Sequence, residues 1–317
     1  MTGQYGAGVS PEPPAIQPTG APLSGGLRGN PWILGTRPRT LPTAVVSVVV
    51  GTAAAGVHGP LIAWRFAAAL VVGLALQIGV NYANDYSDGV KGTDEVRVGP
   101  VRLVASGLAS PTAVKRAAFI AFGVAAVVGL GLALATSLWL VAVGLSAIVA
   151  AWTYTGGPRP YGYAGFGEVF VFAYFGVVAT VGSAYVQEER LTLLAWTACL
   201  PVGLLATALI VVNNLRDIPG DTEAGKRTLA VKLGDSRTRT LYRMCVVVAL
   251  CLAPVVGAVS QRWLAAAGSL AAVAAVAPLR TVRSGASGRQ LIAVLGGTAR
   301  VQLLFGALTA VGLLIQV

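Results

Sequence analysis

Long apolar runs alternate with short polar loops along nearly the whole chain, and that alternation predicts helices that cross a bilayer. Nine runs stand out, centred on residues 43–57, 64–84, 114–135, 138–154, 166–186, 193–213, 240–259, 263–279 and 299–316. A spanning helix needs ~20 apolar residues; for the shorter runs, tilt or local thinning of the bilayer is expected to make up the difference. Trp32, Trp64, Trp139, Trp152, Trp196 and Trp263 all fall at or near the end of a run, where amphipathic rings gather at a membrane interface. The pattern therefore predicts an all-α fold, a polytopic membrane bundle.

Residues 1–27 break the pattern. They are rich in Gly, Pro and Ser, carry almost no charge and read as a disordered arm, leaving 28–317 as one transmembrane domain. A charged start followed by an apolar core and a cleavage site is missing, so no removable signal peptide is expected. The basic segment from Trp32 to Pro42, punctuated by Pro38 and Pro42, is expected to lie along the membrane surface.

Composition agrees with the runs: 55% of residues are hydrophobic and 11% charged. The formal net charge of +11 suggests nucleic acid at first sight. The cations lie between apolar runs, however, where they face cytoplasm and anionic lipid, so no nucleic-acid partner is expected. Cation-rich loops follow the second, fourth, sixth and eighth runs, whereas the alternate loops hold Arg65, Arg190 and Arg262 alone. That asymmetry puts the cation-rich loops in the cytoplasm and the carboxyl terminus outside, as for a multi-pass protein of the cell membrane. Cys199, Cys245 and Cys251 sit in apolar runs without CxxC spacing and read as small core residues.

Two polar islands on the cytoplasmic side change the picture. One is Asn84-Asp85-Tyr86-Ser87-Asp88-Gly89-Val90-Lys91, continuing through Asp94, Glu95 and Arg97; the other runs from Asn213 to Arg227. Together they hold seven of the chain's twelve acids. Carboxylates beside hydrocarbon are expensive and mark function, so a counter-ion is implied. On a helix Asn84 and Asp88 share a face, and Asn213, Asp217 and Asp221 repeat every four residues. Asp85 is rotated off that face, towards a supporting role or solvent. Pro219 and Gly220 predict a break or kink in the second stripe. Hard oxygen ligands without nearby His or Cys suit Mg²⁺ rather than zinc or copper, and two clusters suggest two ions. The interleaved Lys91, Arg97, Arg102, Lys226 and Arg227 make sense if the metal holds a diphosphate, whose remaining oxygens want charged donors. A third stretch on this side, Tyr154 to Tyr163 with Arg159, offers aromatic rings and a guanidinium to an aromatic substrate or a developing cation. A diphosphate held at a bilayer's edge implies an ester with a hydrocarbon tail. Metal-assisted loss of that diphosphate leaves an allylic cation for a nucleophile.

These motifs resemble the UbiA superfamily of intramembrane prenyltransferases, over nearly everything after residue 30. The resemblance is carried by Asn84-xxx-Asp88 with Asp94, and by Asp217-xxx-Asp221 preceded by Asn213. It is closest to the branch that prenylates 1,4-dihydroxy-2-naphthoate, on Asn84-Asp85-Tyr86, Arg97-x-Gly99-Pro100, Arg159-Pro160-Tyr161-Gly162-Tyr163 and Gly225-Lys226-Arg227-Thr228-Leu229-Ala230-Val231. What it implies is a nine-span bundle with a cytoplasmic cap over a central cavity, from which a polyprenyl tail leaves sideways into lipid. It also implies Mg²⁺ on Asn84, Asp88, Asp94, Asn213, Asp217 and Asp221. Five residues separate Asp88 from Asp94, so Glu95 is an alternative third ligand. The expected substrates are a polyprenyl diphosphate and 1,4-dihydroxy-2-naphthoate, with Tyr154 and Arg159 binding the acceptor. Loss of CO₂ and diphosphate would give demethylmenaquinone. Rival readings are another aromatic acceptor such as 4-hydroxybenzoate, a lipid phosphotransferase and an ion-coupled transporter. The split of the carboxylates between two distant loops on one side disfavours the last two.

Overall fold

The structure, a computed structural model, describes residues 30–92 and 102–315. The arm expected over 1–27, and Asp94, Glu95 and Arg97, lie outside the described residues. Within them, every regular element is helical. In chain order these are α1 (Pro31–Gly35), α2 (Leu41–Ala55), α3 (Ala63–Val90), α4 (Pro111–Ala135), α5 (Trp139–Thr153), α6 (Gly167–Val171), α7 (Ala179–Glu188), α8 (Leu193–Glu223), α9 (Leu229–Ser260), α10 (Ala272–Arg283) and α11 (Gln290–Leu314). A π-helical stretch, Phe172–Val178, joins α6 to α7, and a 3₁₀ stretch, Trp263–Ala271, leads into α10.

Every expected apolar run is helical, but the runs are not equal. Seven described stretches are long and apolar enough to cross a membrane, against the nine expected. The other two, α2 and α5, have 15 residues each, about 22 Å at 1.5 Å per residue. Tilt shortens a helix's reach, so it cannot close the gap to ~30 Å of hydrocarbon, and that part of the expectation is corrected. The two short helices resolve the mismatch differently. Most of α2 is buried by neighbouring helices, so lipid need not match it. α5 exposes Leu145 and Val149, and there local thinning of the bilayer is the remaining device.

Helix boundaries follow local chemistry. Ser110, Thr192 and Thr228 accept from the backbone N–H of Ala113, Ala195 and Val231, capping α4, α8 and α9. α9 is interrupted at Gly234, whose φ of 75° is open to glycine without steric cost. The break predicted at Pro219-Gly220 is absent: α8 runs on to Glu223. Pro219 lies within two turns of the helix end and deletes one backbone bond there.

One core joins α2, α8, α9, α10 and α11 through Val50, Leu205, Val211, Tyr242, Val256 and Phe305. A second joins α3 and α4 to Trp32 through Tyr82, Leu103, Val114 and Phe122. Several polar side chains inside are paired with one another, as a bilayer interior favours: Tyr242 Oη meets Thr298 Oγ1 at 2.8 Å, and Thr43 donates to Gln302 Oε1 at 3.2 Å. The three cations of the cation-poor loops all have local work at the end of the bundle away from the islands. Arg65 donates to the carbonyls of Val186 (2.9 Å) and Ala135 (3.2 Å). Arg262 donates to those of Leu313 (2.7 Å) and Val57 (3.2 Å). Arg190 pairs with Glu188 at 3.1 Å, and so does His58 at 2.9 Å. The first two satisfy carbonyls at chain turns and helix ends, which explains why they break the charge pattern.

Helices α2 and α7 cross at Gly51, where a Cβ would stand 2.0 Å from the Thr180 carbonyl oxygen. The contact is backbone against backbone, so no side chain can yield. Gly51→Ala is expected to destabilise the bundle by about 1–3 kcal/mol, read as a lower unfolding temperature in detergent.

Candidate active site

The α3 end carries Asn84 and Asp88 on one face, both buried, as their spacing predicts. Asn84 Oδ1 accepts from Thr155 Oγ1 at 2.8 Å. Asp88 is met from three directions. Tyr163 Oη donates a short hydrogen bond to it, Lys226 Nζ lies 3.3 Å from Oδ1, and Arg102 Nη2 lies 3.6 Å from Oδ2. Lys226 also stands 3.8 Å from Asp221 Oδ1, and Thr228 Oγ1 donates to Asp221 Oδ2 at 3.5 Å. One ammonium thus sits between a carboxylate of each island, and the two islands are one site.

Asp85 has a structural task. It is 1% exposed and accepts from the backbone N–H of Leu103 (2.8 Å) and Val104 (3.1 Å). This docks the chain where it returns from the first island and holds Arg102 beside Asp88.

In the second island Arg216 grips its neighbour. Nε donates to Asp217 Oδ1 at 2.7 Å, and Nη2 to Asp217 Oδ2 at 2.8 Å and Asn213 Oδ1 at 2.9 Å. Asn213 Nδ2 lies 3.4 Å from Asp217 Oδ2, so the four-residue stripe is real. Asp217 itself is buried behind Arg216, whereas Asp221 reaches the polar pocket.

Below the charged groups lies a cavity of about 970 Å³. Its walls are mostly apolar side chains of α2 to α8, among them Val48, Leu76, Leu132 and Leu209; Asn84, Arg102, Tyr154, Asn213 and Arg216 line its polar end. A small polar pocket of about 50 Å³ shares Arg37, Asn84, Arg102, Tyr154 and Asn213 with that end and adds Asp88, Asp221, Tyr163 and Lys226. The backbone of Arg37 is left-handed, with φ 52°. A non-glycine residue there costs about 1 kcal/mol or more, and the side chain it presents lines both spaces.

An aromatic row descends one wall. Tyr154 meets Tyr161 edge-on at 5.5 Å, Tyr161 stacks on Phe170 at 3.9 Å, and Phe170 on Tyr174 at 6.1 Å. Tyr154 faces the cavity but is shut off from bulk solvent. Burial first, then the negative charge of Glu168, pushes its phenol far above the ordinary range. Burial raises Tyr161 likewise. Both rings stay protonated at physiological pH.

Not every expected residue is brought in. Arg159 is exposed and lines neither space, so the structure gives no support to its holding an acceptor. The turn Gly156-Gly157-Pro158 throws it outward. The side chain of Arg227 is exposed too; its backbone N–H donates to the Tyr163 carbonyl at 2.9 Å. Lys91 sits at the rim, donating to the Thr155 carbonyl at 2.8 Å and lying 4.9 Å from the Tyr163 ring centre. Conversely Arg37 and Arg216 belong to the site without having been assigned a role, and so do Thr155 and Tyr163, which the sequence placed only within the tyrosine-rich stretch. For Arg216 a signal existed, because it follows Asn213 by three residues and shares its helix face.

Residues 44–293 match the UbiA prenyltransferase family. The chain belongs to that family. It is 49% identical to a 1,4-dihydroxy-2-naphthoate octaprenyltransferase of Mycobacterium tuberculosis, over 88% of this chain and 95% of that one. It is 42% identical to the Escherichia coli protein of the same name, over 71% of this chain and 76% of that one. A UbiA homolog from Archaeoglobus fulgidus bound to GPP and Mg²⁺ shares the fold, with TM-score 0.61 over 88% of this chain and 99% of that one at 13% identity.

The donor set of this UbiA protein suits magnesium. Its oxygens are hard, and Lys226 marks a point where a cation is attracted by both islands at once. Among the described residues no three His, Cys, Asp or Glu side chains gather into a ready-made cage. Magnesium does not need one, since it binds through one or two carboxylates and completes its shell with water and phosphate.

Asp85→Ala should strand two backbone donors and release the Arg102 segment. A loss of about 2 kcal/mol or more is expected, seen as a lower unfolding temperature and as faster backbone hydrogen exchange at Leu103 and Val104.

Proposed function

We propose that residues 28–317 form one catalytic membrane domain that transfers a polyprenyl group from its diphosphate to 1,4-dihydroxy-2-naphthoate. The observation that carries this reading is the shared position of Lys226 between Asp88 and Asp221, at the polar end of an apolar cavity. A charged headgroup and a hydrocarbon tail have adjoining places there. The names of the relatives favour the same acceptor.

Mg²⁺ held by Asn84, Asp88, Asn213, Asp217 and Asp221, in our reading as two ions, would offset the charge of the departing diphosphate. Asp94 or Glu95 is the expected further ligand. Lys226 and Arg102 lie beside Asp88 and are suited to the remaining phosphate oxygens, with Lys91 at the rim; Arg97 is an expected further donor. The carbon–oxygen bond of the prenyl ester breaks, and the allylic cation forms against the rings of Tyr154 and Tyr161, whose faces favour positive charge. The apolar walls keep water from capturing it. The electron-rich ring carbon bearing the acceptor's carboxylate attacks. CO₂ then leaves, its bonding electrons restoring the aromatic ring. The product is the reduced form of demethylmenaquinone.

Charge asymmetry supports an active site on the cytoplasmic face of the cell membrane. In a background lacking the three native cysteines, a cysteine at the exposed position 190 is expected to react with an impermeant reagent on intact cells. Cysteines at 159 and 283 are expected to stay protected; the reverse pattern would overturn the orientation.

The test of the reaction is stoichiometry. Labelled CO₂ should appear one for one with prenylated product, only when Mg²⁺ is present. Asp88→Asn and Asp221→Asn should each reduce the rate by two or more powers of ten, about 3 kcal/mol of lost leaving-group stabilisation. Asp235→Asn, which breaks only the exposed pair with Arg239, should remain near wild type. Retention of the acceptor's carboxyl in the product would exclude this acceptor chemistry.

A further inference from the structure

Arg216 is the buried cation that the reaction described above leaves without a task. Its side chain is 1% exposed, and it lines the large cavity but not the small polar pocket around Asp88 and Lys226. Three of its five N–H groups are used, one from Nε and two from Nη2, on Asp217 and Asn213. Nη1, with the other two, is buried and has no hydrogen-bond partner among the described residues. A buried, charged donor left unpartnered among the described residues is costly and calls for a further acceptor.

The surroundings define that acceptor. Tyr154, Tyr161 and Phe170 line the same cavity and offer the faces and edges of rings. A flat aromatic acid meets both features: its ring packs on the aromatic row and its carboxylate takes the two free N–H groups. A diphosphate has better company elsewhere, beside Lys226 and Arg102 at Asp88. Asp217 need not cancel the attraction, because a divalent cation held by the same carboxylate would return net positive charge to the Arg216–Asp217 pair.

We propose that Arg216 anchors the carboxylate of the aromatic acceptor and thereby sets the preference for a carboxylated ring. The inference rests on the acceptor reading given above, and it moves the anchoring role from the exposed Arg159 to a residue inside the cavity. Held in this way, the acceptor presents its carboxyl-bearing carbon at the polar end of the cavity, next to the place of the diphosphate.

The test is equilibrium binding to the full-length protein in detergent with Mg²⁺ and no prenyl donor, so it is independent of turnover. The probes are 1-hydroxy-2-naphthoate and its carboxamide, which differ in charge and hardly in shape. Wild type should prefer the carboxylate by roughly 10- to 100-fold. Arg216→Lys keeps a positive charge but loses the fork, and should cut the preference to about threefold or less; Arg216→Gln should abolish it. Because the readout is a ratio within one preparation, a partly unfolded variant does not distort it. Affinity for geranyl diphosphate should stay within about threefold of wild type in Arg216→Lys, since the diphosphate donors are others. Arg159→Ala should keep the full preference. The proposal is overturned if wild type shows no preference, if both Arg216 variants retain it, if Arg159→Ala removes it, or if geranyl diphosphate affinity falls as far as that for the acid. Release of CO₂ by wild type decides the acceptor reading separately.

Discussion

Carboxylates at the edge of a bilayer have to be compensated, and much of the site's architecture follows from how this chain does so. Asp88 and Asp221 come from helices far apart in sequence, and Lys226 stands between them. Burying either carboxylate without a cation would cost several kcal/mol, so the α3 end, the α8 end and the loop before α9 are held together by one charge. The same demand recruits Arg102, and Arg102 is held there because Asp85 pins the returning chain. An arrangement of opposite charges this dense is a weak source of stability. Its value lies in specificity of position, since it brings two polar islands to the top of one cavity.

Much of the fold was legible, and the reason is the solvent. In hydrocarbon each backbone polar group must be satisfied within its own segment, so an apolar run has little choice but to be a helix. Hydropathy does not report what surrounds a helix. α2 and α5 have the same length, yet α2 is enclosed by protein and α5 is open on one side. The persistence of α8 through Pro219 was equally hidden, because near a helix end one lost bond is tolerated.

The site was legible where helix period carries the signal. Asn84 with Asp88, and Asn213 with Asp217, share faces because four residues are about one turn. Loop residues obey no such rule. Arg159 and Tyr163 belong to one polar stretch, yet Tyr163 bonds Asp88 while Arg159 points outward past a Gly-Gly-Pro turn. Nothing in a single sequence tells these two apart. Asp85 illustrates another limit, since its partners, the N–H groups of Leu103 and Val104, carry no side-chain signature at all.

The protonation state of the aromatic wall bears on which acceptor the cavity suits. Prenylating a ring carbon that carries hydrogen requires a base to take the proton. Burial, joined at Tyr154 by the negative charge of Glu168, keeps Tyr154 and Tyr161 in their protonated forms, so neither can serve. Glu168, the acid buried behind this wall, accepts from Asn214 at 2.9 Å and lines neither space. Among the described residues, the carboxylates that share a pocket with Tyr154 are Asp88 and Asp221, which the proposed reaction commits to the metal. A ring carbon that carries a carboxylate escapes the requirement, because the departing CO₂ leaves its electron pair behind and no proton has to move. The cavity's chemistry and the acceptor's leaving group fit for one reason: the wall that steadies a carbocation by excluding water also suppresses ionisation of the groups that would otherwise act as bases.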